Sequence, residues 1–75
     1  MVQFQGQEYD LTQADVDTRM QGLAPEGIRK YFVEVNGNAY PVKQVARTCT
    51  GVHRQNTRES QKLLRDLGFT VHQTS

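Results

Sequence analysis

Arg58, Lys62 and Arg65 stand at i, i+4 and i+7 in a stretch with helical periodicity, so they share one helix face. Lys43 and Arg47 repeat the i, i+4 spacing on a helix predicted earlier in the chain. His53, Arg54 and Gln55 lead into the later helix, and Asn56 and Gln61 add amides. Guanidinium and ammonium groups at such spacing ion-pair with phosphates, and Arg, Gln and Asn hydrogen-bond guanine and adenine edges. The chemistry expected of this set is therefore nucleic-acid binding: phosphate contacts from Lys43, Arg47, Arg54, Arg58, Lys62 and Arg65, and base-edge contacts from Gln55, Asn56 or Gln61. The competing reading is a pair of solvated helix faces, with Glu59 and Asp66 pairing with Lys62 or Arg65 for little energy.

Other chemistries find less material. His53 and His72 have no Cys, Asp or Glu at metal-ligand spacing, so no metal site is expected. Cys49, the single cysteine, falls on the apolar stripe of a predicted helix, where a buried inert thiol is the usual state. It forms no intramolecular disulfide, which fits a reducing, cytoplasmic setting. There is no Walker loop, dinucleotide fingerprint or nucleophile elbow. Neither a cofactor nor catalysis is expected. No signal-peptide pattern and no apolar run of about 20 residues is present, so a membrane partner is not expected either.

These side chains need a scaffold, and 75 residues supply one thin-cored domain spanning 1–75. The net charge of +1 conceals an uneven distribution. Residues 1–28 carry five acids against Arg19 alone, whereas residues 29–75 carry eight cations against Glu34, Glu59 and Asp66. Such asymmetry suits a polyanionic partner or two oppositely charged faces.

The chain also repeats a local pattern. Val2, Phe4, Gly6, Tyr9 and Leu11 align with Val33, Val35, Gly37, Tyr40 and Val42, and Gln13 with Gln44. Each copy reads as strand, turn at Gln5-Gly6 or Asn36-Gly37, return strand and helix. A remnant of duplication and two uses of one motif both account for it. The first helix starts near Thr12, with Asp15 completing a capping box, and ends before Gly22 and Pro25. Pro25 to Ile28 reads as a short turn, and Lys30 to Val35 as a strand. The adjacent Tyr31 and Phe32 must point to opposite faces, one to the core and one free to stack on a base or fill an interface. The second helix spans about Pro41 to Thr48, with Val42, Val45, Ala46 and Cys49 as its buried stripe, and Gly51 ends it. The third is capped by Asn56, buries Ser60, Leu63, Leu64 and Leu67, and stops at Gly68. Phe69 to His72 suggests a short last strand, with Gln73 to Ser75 frayed. The fold expected is α+β: a small antiparallel sheet from two β-hairpins with about three helices, the last two resembling a helix-turn-helix.

Residues 31–71 also carry an ordered set of motifs: the aromatic strand Tyr31-Phe32, Asn36-Gly37, Tyr40-Pro41-Val42-Lys43, a helix, then Leu63-Leu64-Arg65-Asp66-Leu67-Gly68-Phe69. This order resembles a small module of bacterial, often actinobacterial, proteins, similar to the accessory N-terminal domains of modification-dependent HNH restriction endonucleases. The resemblance implies a DNA-binding or DNA-targeting accessory domain without nuclease activity, in a defence or phage-related setting, with Lys43 as the motif position open to a functional role. Lys43 could instead complement the helix start or cover apolar surface with its stem. The rival function is a protein-interaction module, a homodimer or small inhibitor or adaptor subunit, anchored by Tyr31 or Phe32.

Overall fold

The computed structural model describes residues 1–28 and 30–74. Strands β1 (Val2–Phe4) and β2 (Gln7–Tyr9) form a hairpin, followed by helix α1 (Gln13–Met20). Strands β3 (Tyr31–Val35) and β4 (Asn38–Pro41) form a second hairpin, followed by α2 (Val42–Thr50) and α3 (Thr57–Asp66). A last strand, β5 (His72–Gln73), pairs antiparallel with the free edge of β3.

Both turns bear out the hairpin reading. Gln5 and Gly6 have φ of 51° and 79°, and Asn36 and Gly37 have 53° and 80°. Positive φ at both central residues defines a type I′ turn, whose twist matches that of the flanking strands. The two hairpins do not join into one sheet, however. One sheet has order β1-β2 and the other β4-β3-β5. β5, not a strand of the first hairpin, pairs with the second edge of β3. Instead, β1 packs on α3, while α1 packs on α2 and β3.

The alternating residues of both copies close on one core. Val2, Phe4, Val33 and Val35 are buried with Leu11, Val42, Val45, Ala46, Leu63 and Leu64. Leu63 and Leu64 bring α3 to this core from one side, and Val16 and Met20 bring α1 from another. Caps fix the helix ends. Thr12 accepts from the Asp15 amide while the Asp15 carboxylate accepts from the Thr12 amide, so the capping box is complete. After α3, the Phe69 amide donates to the Leu64 carbonyl and the Gly68 amide to Arg65, a Schellman closure with Gly68 at φ 95°.

Three local expectations change. The second helix runs two residues further, to Thr50, before Gly51 turns left-handed. The turn expected over Pro25 to Ile28 does not form; residues 23–28 run irregularly and are pinned by side chains from the second hairpin and α2. The last strand falls later than expected, and Gln73 does not fray: it pairs with Tyr31, and the Thr74 amide donates to the Lys30 carbonyl. Ser75 lies outside the described residues. The six residues 51–56 between α2 and α3 carry no helix or turn.

Candidate nucleic-acid interface

An open cleft runs between the start of β3 and the flanks of α2 and α3. One end, of about 580 Å³, is bounded by Lys30, Tyr31, Lys43, Gln44 and Arg47 together with the 26–28 segment. The other end, of about 490 Å³, is lined by Lys30, Tyr31, Thr57, Arg58, Gln61 and Arg65. Lys30, Tyr31 and Thr57 line both ends, so the two make one groove.

Each wall has a local reason. On α3, Ser60, Leu63 and Leu64 are buried, which turns Arg58, Gln61 and Arg65 outward beside the β3 end. The Arg65 guanidinium donates to the Gln61 side-chain carbonyl at 3.2 Å, so the two form a paired surface. On α2, the buried stripe leaves Lys43 exposed and Arg47 half-buried along the groove. Lys43 stands in the first turn of α2, where no acid is present and Pro41 gives no side-chain cap. A cation there opposes the helix dipole, so the helix start gains nothing from it. The same uncapped end and ammonium together favour an anion.

The third wall depends on buried polar bonds. Tyr40, 1% exposed, donates to the Leu23 carbonyl at 2.8 Å and lies 3.2 Å from that of Met20. Gln44 donates to the Ala24 carbonyl at 3.0 Å and accepts from the Glu26 amide at 2.8 Å. These bonds hold the segment after α1 against α2 and deliver the Glu26 carboxylate to Arg47.

Of the nine residues singled out from the sequence, the cleft brings together Lys43, Arg47, Arg58, Gln61 and Arg65. Arg54, Gln55, Asn56 and Lys62 do not line it. Arg54 is exposed beside the first hairpin, where its carbonyl accepts from Gln5. The Gln55 amide is committed to the loop: it donates to the Val52 carbonyl and accepts from the Ser60 hydroxyl, both at 2.7 Å. Asn56 is an N-cap, accepting from the Glu59 amide. Lys62 is turned away and bonds Asp66 at 2.9 Å, a contact that raises its pKa. At about 100° per residue Lys62 lies beyond Arg58 on the side opposite Gln61, so the shared face splits along its length. Lys30 was not among the predicted contacts. Tyr31 was expected, with Phe32, to be either a core residue or a free ring; its alternation with buried Val33 and Val35 places it on the helix side of β3, packed on the core, and neither ring is fully buried.

Among the described residues only two ion pairs occur, Arg47–Glu26 and Lys62–Asp66. Lys30, Lys43, Arg58 and Arg65 thus line the cleft without a carboxylate partner. No group of three or more His, Cys, Asp or Glu side chains that could hold a metal is found among the described residues. Cys49 is buried, and burial pushes its thiol pKa up, with the nearby Arg19 guanidinium offsetting this in part. No helix among the described residues is long and apolar enough to cross a membrane.

The chain belongs to the SCO5918-like family, whose model matches residues 4–75. No curated protein and no solved structure matches it. Nothing in these matches links the chain to endonuclease accessory domains.

Proposed function

We propose that this domain is a non-catalytic nucleic-acid-binding protein that grips the phosphate backbone of DNA in the cleft between β3, α2 and α3. One observation carries the reading. Five cations, Lys30 just before β3, Lys43 and Arg47 on α2, and Arg58 and Arg65 on α3, line one groove, and only Arg47 is neutralised there. Convergence of one sign of charge in a concave surface concentrates field and attracts a polyanion. The motif resemblance, which implies a DNA-targeting accessory role, supports the same class of partner.

The test is binding of labelled random-sequence DNA at low and moderate salt. Retention at low salt that weakens steeply with added salt is the expected result, because each phosphate contact releases counterions. No retention at low salt would overturn the reading. A second reading, a protein-interaction module, draws on the opposite face of the three-stranded sheet. There Phe32 stacks on His72 at 5.1 Å between centroids, both partly open to solvent. A discrete dimer in solution with no DNA retention would favour it.

A further inference from the structure

The cleft is more than a row of cations, because an aromatic ring lies within it. Tyr31 packs on the core from the helix side of β3 yet stays half-exposed, and it lines both ends of the groove. The Lys30 ammonium lies 5.4 Å from the centre of its ring. That face of the ring carries the ammonium of an exposed side chain, which a phosphate could draw aside to leave the ring to a base. Thr57, Arg58, Gln61 and Arg65 stand around the same end of the cleft.

A duplex cannot use such a platform. Its bases are stacked on one another, and it offers a protein only phosphates and base edges. A ring recessed in a groove between cations is reached by a base that has left the stack, with its backbone following the charged walls. Resting on the nucleic-acid reading above, we infer that the cleft takes single-stranded nucleic acid, with one base stacked on Tyr31. Arg58 and Arg65 hold phosphates at the α3 end, and Lys43 holds one at the α2 end. The Gln61 amide, whose carbonyl accepts from Arg65, keeps its N–H groups for the base edge or sugar.

The experiment compares a mixed-sequence DNA strand of about 12 nucleotides, a length within known single-strand site sizes, with the blunt duplex of the same sequence, by fluorescence anisotropy at one low salt concentration. The strand should bind at least roughly tenfold more tightly than the duplex, the loss expected when one stacked base finds no platform. Tyr31→Leu should remove about that factor, and Tyr31→Phe should bind nearly as tightly as the wild type. A second readout is independent of whether Tyr31→Leu folds well. The chain has no tryptophan and three tyrosines, so tyrosine emission is directly visible. The strand should quench it in the wild type, and Tyr31→Phe should bind with that quenching lost. Equal affinity for duplex and strand, or undiminished quenching in Tyr31→Phe, would overturn the stacking inference while leaving the phosphate-binding reading intact. Failure of both nucleic acids to bind would overturn the two together.

Discussion

Arg58 and Lys62 are four residues apart on one helix, yet the structure gives them different work. Arg58 lines the cleft, whereas Lys62 is exposed and bonded to Asp66. Arg58→Ala should weaken DNA binding evenly across sequences and reduce the slope of log affinity against log salt by about 0.9 for a duplex and 0.7 for a strand. Lys62→Ala should leave both nearly unchanged, as titrations over a salt series would show. Glu26 makes the opposite prediction. Its carboxylate occupies Arg47, so Glu26→Gln should free that guanidinium and tighten binding in the same assay. Cys49 is the residue to examine by pH. Its raised thiol pKa means that the unfolded chain ionises first, so stability is intact below the ordinary thiol range and is lost as pH rises through it. Thermal midpoints should therefore drop above pH of about 8.5, and less steeply in Cys49→Ala than in the wild type. At this scale the sequence revealed helix faces well, because a period and a buried stripe define them. It did not reveal that Lys30 and Tyr31 would line a cleft with α3, which depends on how the elements pack, nor that the Val52 carbonyl and the Ser60 hydroxyl would absorb Gln55; the pairing of Lys62 with Asp66 was the competing reading of that helix face, and it is found.

The elements were legible where a local rule leaves little choice. Asn36-Gly37 demands a type I′ turn, Thr12 with Asp15 demands a helix start, and Gly68 before Phe69 demands a left-handed stop, and all three are found. Where partners come from far along the chain, local rules fell short. Nothing near β5 announces that it pairs with β3, and nothing near residues 23–28 announces their anchoring by Tyr40 and Gln44. The equivalence of the two copies survives folding in part. Both give strand, turn, strand and helix, and the matched turn residues Gln5 and Asn36 each donate to a distant carbonyl, of Arg54 and Asp17 respectively. The tyrosines diverge: Tyr40 is buried and hydrogen-bonded, whereas Tyr9 is half-buried against the core. Tyr40→Phe removes the hydroxyl but keeps the ring, so the Leu23 carbonyl loses its side-chain donor, while that of Met20 still accepts from the Leu23 amide. It should cost about 0.5–1.5 kcal/mol of stability, measurable by urea unfolding. Because it also loosens the segment that brings Glu26 to Arg47, it tests how far that wall shapes the cleft.

Over the whole molecule, the acidic first 28 residues and the cationic remainder do not cancel across the fold. The radius of gyration is only 11.1 Å, so every charge lies within a few Debye lengths of every other. Even so, of the early carboxylates only that of Glu26 lies on the cleft or in an ion pair with a cation, among the described residues. Asp15 is occupied in capping α1. The α+β class, the hairpins and the three helices follow from turn chemistry and periodicity. The cleft follows from tertiary approach, which sequence spacing alone does not encode. The most direct measurement is the salt dependence of DNA binding by the wild type beside a triple variant, Lys43→Ala, Arg58→Ala and Arg65→Ala, with folding of both checked by thermal melting. The wild type should bind at low salt with a steep negative slope, and the folded triple variant should lose most of that affinity and about two to three units of slope. A folded triple variant that binds with the affinity and slope of the wild type would contradict the cleft as the site of binding.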